Sequence, residues 1–320
     1  MNGGMELYLH MPFCVRKCAY CDFLSFPTDQ ETQNLYTRRL REDIDAMGKK
    51  YGDIPVDTIF IGGGTPSVPD SALIVGIMEH VRKAFHVAEG AEISMEANPG
   101  TVTREKLTDY RRAGINRLSF GLQSANDREL KLLGRIHTWA EFLESFHLAR
   151  ECGFTNINID LMSALPGQTR ESWKDTLKRV TDLNPEHISA YSLIIEDGTP
   201  FGEKYGSEEG RKLLPDEDSE REMYHETKRF LRDCGYERYE ISNYAKPGRA
   251  CRHNIGYWTG LPYLGLGLGA SSYMDGCRFA VNSDMKQYLE EKPGMFTDVE
   301  KLTKKDMEEE FFYVGLRMTA

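Results

Sequence analysis

Three cysteines, Cys14, Cys18 and Cys21, crowd the short stretch HMPFCVRKCAYCDF, and Phe23 stands where a fourth would fit. Clustered thiolates bind metal. A structural zinc site closes with four ligands, so zinc here needs His10 to complete the set, and C-x3-C-x2-C is not zinc-knuckle spacing. An iron-sulfur cube held by three thiolates instead leaves one iron with open coordination positions for a substrate. That vacancy is the chemistry the spacing points to.

Such a loop needs a frame that presents it at one end. Short apolar or alternating runs, ELYLHM, DTIFIGGG, EISMEAN, RLSFGLQ, NINIDLM and HISAYSL, read as six strands. Helical patterns lie between them at Leu35 to Lys49, Ala72 to Phe85, Arg104 to Ala113, Ala140 to Glu151 and Trp173 to Leu183, with Gly114 and Gly153 in C-cap positions. Strand and helix in alternation demand parallel strands joined by right-handed crossovers. The fold class is therefore α/β, as an open or closed (β/α) barrel or a doubly wound sheet. Polar and glycine residues follow the strands in IGGGTP, MEANPG, FGLQS and DLMSALPGQT, where both architectures place their active sites.

After SAYSLI the texture changes to a connection rich in glycine, proline and charge, followed by an amphipathic helix over Asp216 to Cys234. Residues 1–215 read as the α/β core and 216–320 as a smaller α+β module, aromatic and glycine-rich with little helix. The last segment begins an amphipathic helix and stops, so the module is expected to be incomplete at its C-terminus. Within it, GLGLGA satisfies G-x-G-x-x-A, but no helix pattern follows, so nicotinamide binding is not expected; the run should pack tight backbone near a cofactor pocket.

The chain carries 40 basic and 50 acidic residues, a formal net charge of -10, which makes it a poor counterion for nucleic acid. No apolar run is long enough to span a bilayer, and the N-terminus has no basic leader, so a cytoplasmic protein is expected. Seven cysteines, three of them in one loop, suit a reducing compartment and a metal centre better than a disulfide framework.

The cysteine spacing after the first strand, followed by GGGTP, resembles the radical S-adenosylmethionine (SAM) superfamily. The resemblance implies a partial barrel of six β/α units and a 4Fe-4S cluster on Cys14, Cys18 and Cys21, with SAM chelating the fourth iron. One electron passed to the sulfonium would then release a 5'-deoxyadenosyl radical, chemistry best kept inside a barrel away from solvent. Motif by motif, Tyr8 and Tyr20 flank the cluster loop, and Gly63, Gly64 and Thr65 form a backbone platform for the methionine part of SAM. Glu96, Gln123, Arg135 and Asp160 match the SAM-binding polar residues: Arg135 can pair with a carboxylate, and the two acids can accept from ammonium or ribose hydroxyls.

The closer similarity is to the oxygen-independent coproporphyrinogen III oxidases and their HemW-type haem chaperone branch. The oxidases resemble C-x3-C-x2-C-x-C with a long N-terminal arm; Phe23 and the early position of Cys14 favour the chaperone. CRHNIGYW, Cys251 to Trp258, resembles the H-N-x-x-Y-W signature of that branch. Neutral His253 offers a nitrogen to haem iron, Cys251 a softer sulfur, and Tyr257 and Trp258 flat faces for a macrocycle, while the alternative is an aromatic turn whose histidine bonds backbone. The resemblance implies haem and an acceptor haem protein as partners, and leaves room for a haem or electron donor protein, a peripheral membrane contact and a homodimer. The runner-up function is coproporphyrinogen III oxidation; action on transfer RNA is disfavoured by the acidic balance. The remaining histidines, including His137 and His187, read as surface or helix residues.

Overall fold

Alternation within the early strands sets the architecture. The computed structural model describes residues 3–319. Six strands, β1 (Met5–Met11), β2 (Val56–Gly63), β3 (Val87–Ala97), β4 (Arg117–Gln123), β5 (Ile157–Ser163) and β6 (His187–Ser192), pair in chain order, all parallel. One set of alternate residues, such as Leu7, Leu9, Ile59, Ile61, Ile93, Leu118, Phe120, Ile159 and Leu161, forms a single core with the apolar faces of the intervening helices. Those helices are α1 (Gln30–Tyr51), α2 (Ser71–Ala84), α3 (Arg104–Arg112), α4 (Asp127–Leu132), α5 (Trp139–Glu151) and α6 (Arg170–Asp182). Local chemistry fixes where they start: the Asp29 carboxylate accepts from Thr32 N, so α1 begins a turn before its apolar pattern does, and Thr138 and Glu141 close a capping box on α5.

The other set of alternates is polar. Glu6, Thr58, Glu92, Ser94, Arg117, Ser119, Asn158, Asp160, His187 and Ser189 occupy the face opposite the core, an interior built for a ligand and not for apolar packing. β1 and β6 do not pair with one another. The six-strand unit is therefore an open α/β sheet, curled enough that loops from β1 to β6 line one cavity, but not a closed barrel.

Beyond β6 come α7 (Pro200–Tyr205), α8 (Glu208–Arg211) and α9 (Glu217–Asp233), then β7 (Glu237–Arg238) and β8 (Asn243–Ala245). They are followed by α10 (Arg252–Trp258), β9 (Tyr263–Leu266), β10 (Ser271–Met274), β11 (Cys277–Ala280), α11 (Met285–Glu290), β12 (Thr297–Lys301) and α12 (Lys304–Gly315). These strands extend the same sheet at both edges, in the order β12-β11-β10-β9-β1-β2-β3-β4-β5-β6-β8-β7. β9 runs parallel to β1, and β8 antiparallel to β6. Met223, Leu231, Tyr244, Leu264 and Leu266 join the main core. The GLGLGA run ends β9 and packs tightly, but not at the cofactor pocket. A Cβ on Gly267 would lie 2.5 Å from the Tyr36 hydroxyl, and none of the run lines the cavity described below. Among the described residues no helix is long and apolar enough to cross a membrane.

Candidate functional site

The cysteine loop leaves β1 and is pinned twice. Phe13 and Phe26 bridge its two ends, with Cys14 N donating to Phe26 O at 3.1 Å. Its tip docks by Ala19, whose N–H donates to Leu133 O and whose carbonyl accepts from Phe201 N at 2.9 Å. Beneath the tip, Leu133, Leu165, Phe201 and Tyr205 form a small separate apolar cluster against which Ala19 and Tyr20 pack. The loop is thus held by its own hydrophobic floor.

Cys14, Cys18 and Cys21, all free thiols, face one cavity of about 410 Å³ at the carboxyl ends of the strands. Tyr20, Gly63, Gly64, Thr65, Glu96, Gln123, Arg135 and Asp160 line the same cavity. Arg135 is its anchor. It reaches Cys18 Sγ at 3.6 Å, Asn98 Oδ1 at 2.6 Å and the Gly121 carbonyl, while its Nε has no partner among the described groups. Burial pushes the Cys21 thiol up from its ordinary range.

Two carboxyl groups sit deeper. Glu96 Oε2 accepts from Gly63 N at 3.0 Å, and burial followed by the neighbouring Asp160 charge pushes its pKa up to about 8. Asp160 accepts from Ser119 and Asn158, both at 2.8 Å, and burial raises its pKa too. Gln123 takes φ 72° at a register shift between β4 and β5, a conformation that costs about 1 kcal/mol or more and persists only where surroundings impose it.

The glycines of GGGTP answer first to the chain itself. A Cβ on Gly63, at φ 110°, would lie 2.4 Å from the His10 ring, and one on Gly64 would lie 2.7 Å from Phe13 O. Gly64 N and Thr65 N already donate to Met11 O and Phe13 O. The run therefore lets β2 close against the cysteine loop, and what it presents to the cavity is a surface without side chains.

Not every expected residue reaches the cavity. Tyr8 lies below it, its hydroxyl 3.0 Å from His10 Nδ1, and His10 Nε2 is 2.9 Å from Leu24 O. His10 is thus engaged at both nitrogens and is no fourth metal ligand in this arrangement. No group of three or more His, Cys, Asp and Glu among the described residues could hold a single metal ion. A lone ion needs every donor about 2.3 Å from one point, whereas a cube spreads its thiolates over separate irons, so three cysteines around one cavity fit the larger group. Asn98, Met162, Tyr191 and Ile194 also line the cavity and escaped the sequence reading. Their position at or just beyond the carboxyl ends of β3, β5 and β6 was the available signal.

CRHNIGYW is at the other end of the strands, and it is a helix, α10, not a turn. His253 is 1% exposed, stacked on Phe60 with ring centroids 5.2 Å apart. Its Nδ1 is 2.6 Å from Thr58 Oγ1 and its Nε2 3.0 Å from the Tyr257 hydroxyl. Thr58 also bonds Glu6 Oε1 at 3.0 Å, so both ring nitrogens of His253 are engaged within a closed network. Burial, with Arg117 nearby, lowers the His253 pKa to about 3, so the ring is neutral. Burial pushes the Cys251 thiol up to about 12, and its Sγ lies 3.4 Å from Glu92 Oε1. Trp258 stacks under the Arg317 guanidinium at 4.3 Å. His187 belongs to this floor and not to the surface: fully buried, it bonds Asn158 Oδ1 at 2.6 Å and the Tyr239 hydroxyl at 2.8 Å. His137 is also buried, against Leu122 O.

Comparisons with known proteins agree with this geometry. The sequence model of the Radical SAM superfamily matches residues 8–180. Heme chaperone HemW of Escherichia coli (strain K12) is 42% identical over 272 residues, covering 83% of this chain and 69% of that protein. Heme chaperone HemW of Bacillus subtilis (strain 168) is 37% identical over 317 residues, covering 98% and 83%. Among solved structures, coproporphyrinogen III oxidase (HemN) from Escherichia coli, described as a radical SAM enzyme, superposes with a TM-score of 0.85 at 28% identity, over 98% of this chain and 76% of that one. Membership of the superfamily implies a 4Fe-4S cluster and SAM, and the cavity has donors suited to both. A three-cysteine loop at the mouth of a polar sheet interior, with these relatives spanning most of its length, means that the chain belongs to the radical SAM superfamily and, within it, to the family of the heme chaperone HemW proteins.

Proposed function

We propose that this protein is a haem chaperone: it holds a 4Fe-4S cluster on Cys14, Cys18 and Cys21, SAM in the adjoining cavity and haem at the His253 motif, and hands haem to an acceptor haem protein. The observation that carries the reading is the pairing of two sites on one sheet face. Cysteines, Arg135 and Glu96 gather at the carboxyl ends of the strands, and the neutral His253 sits at their amino ends. When bound, the cluster and SAM supply one-electron chemistry at the sulfonium. Arg135 holds a carboxylate, Glu96 and Asp160 accept from ammonium and hydroxyl groups, and the enclosing sheet excludes water. Phe23, 69% exposed, stands at the cavity mouth where the oxidases resemble a fourth cysteine.

Coproporphyrinogen III oxidation is the second reading, favoured by the close superposition on the solved oxidase. One experiment separates them. Anaerobically reconstituted protein is given coproporphyrinogen III, SAM and reductant, while a parallel sample is titrated with haem and followed by absorbance. A stoichiometric haem complex that is lost in His253→Ala supports the chaperone; protoporphyrinogen formation supports the oxidase.

A further inference from the structure

Helix α10 is held down by groups that lie outside its own octapeptide. Its N-cap residue, Cys251, makes no side-chain cap hydrogen bond. Glu92 of β3 does that work from across the fold, accepting from Arg252 N at 3.2 Å and His253 N at 3.4 Å. Thr58 of β2 binds His253 Nδ1, and Glu6 of β1 lies directly under Gly256, where an added Cβ would come within 2.0 Å of Oε1. Haem ligation needs a free nitrogen lone pair and an open face for the macrocycle. His253 offers neither here: Tyr257 occupies Nε2, Phe60 covers the ring, and Cys251 is fully buried. The segment is bracketed by Gly248 and Gly260, at φ 73° and 71°, with open space around both. Two such glycines can absorb a backbone rotation without a clash.

We propose that residues 249–259 form a strap, positioned shut on the sheet floor by Glu6, Thr58 and Glu92, and that His253 coordinates haem only after the strap lifts. This inference rests on the haem reading of the octapeptide given above. The closed strap then sets the haem association rate, because only the lifted fraction of molecules is competent to bind. Arg317, stacked on Trp258 and paired with Glu240 at 3.3 Å, holds the far end of α10 and supplies a pivot.

The test uses the full chain with its cluster reconstituted anaerobically, mixed rapidly with excess haem and followed in the Soret band. Gly256→Ala forces a Cβ against Glu6 and lifts the strap without touching His253. Association at least tenfold faster than wild type is expected, together with faster amide exchange over residues 251–259. The double variant Gly256→Ala with Glu6→Ala makes room for the methyl and should bring the rate back to between those of Gly256→Ala and wild type, the remaining difference being the hold that Glu6 exerts through Thr58. Thr58→Val, which keeps side-chain shape and removes the hydroxyl, gives the same acceleration by a second route and serves if Gly256→Ala misfolds. Wild-type association rates in both lifting variants, with the complex still lost in His253→Ala, overturn the strap and leave the haem reading standing. Retention of an unchanged complex by His253→Ala overturns the haem reading itself; amide exchange that Gly256→Ala leaves unaltered then also removes the strap as a physical element.

Discussion

Phe201→Ala should loosen the iron site although Phe201 carries no ligand. The ring is 3% exposed in the four-residue cluster beneath the cysteine loop, edge-on to Tyr205 at 5.0 Å and tilted against Tyr20 at 6.5 Å. Truncating a buried phenylalanine costs about 3–5 kcal/mol through lost transfer energy and the cavity left behind. In the main core that cost spreads over the whole domain. Here the cluster is small and separate, and the element it supports is the loop tip at Ala19 and Tyr20, so the cost falls on local opening of residues 14–21. At about 1.4 kcal/mol per factor of ten, a cost near 3 kcal/mol raises the population of the open loop by roughly a hundredfold. The assay is anaerobic transfer of iron from reconstituted protein to an excess of chelator. Phe201→Ala should lose iron on the order of a hundred times faster than wild type, while Phe201→Leu, which keeps most of the volume, stays within about tenfold. A fall in melting temperature with no change in iron release would refute the reasoning, since it would show that the cluster supports the fold but not the loop.

Three further outcomes follow from other contacts. Glu6 is fully buried with its pKa pushed up to about 8, chiefly by burial and also by Glu92 and Asp57, against the relief given by Thr58 and Arg252. The folded chain therefore holds a proton that the unfolded chain has lost above its ordinary value of 4.5, so stability falls by up to about 1.4 kcal/mol per pH unit between these values. Urea unfolding of Glu6→Gln from pH 5 to pH 8 should show a slope shallower by that amount. Thr227→Val strands the Trp173 Nε1–H, which now donates to Thr227 Oγ1 at 2.8 Å between α6 and α9; a loss of about 1–3 kcal/mol is expected in denaturant melts, with a changed tryptophan emission. Arg135→Met should weaken SAM binding by roughly ten- to a hundredfold in equilibrium dialysis, the loss of about 1.5–3 kcal/mol of charged hydrogen bonding, while iron stays bound.

How much of this could be read in advance depended on whether the deciding partner was near in sequence. The six strands and their helices follow from periods of two and 3.6 residues, and caps such as Asp29 and Thr138 lie within three residues of the groups they satisfy. The three cysteines were legible for the same reason. Helix α10 was not, because its cap, Glu92, is far away in the chain, and seven residues lacking a local cap carry no helical signal of their own. His187 read as a surface or helix residue because its partners, Asn158 and Tyr239, are brought to it only by the pairing of β5 with β6 and the turn into β8. β3 and β5 each place one residue on the floor and another, further along the same face, at the cavity: Glu92 and Glu96 on β3, Asn158 and Asp160 on β5. The alternation that creates both sites is written in the chain, but the register that sets Glu6, Thr58 and Glu92 side by side is a property of three strands at once. A single substitution in β1 to β3 can therefore act on the octapeptide without being near it in sequence. Conversely, a change in the octapeptide has a route toward the cysteine loop through Phe60 and Tyr8, since Phe60 stacks on both His253 and Tyr8.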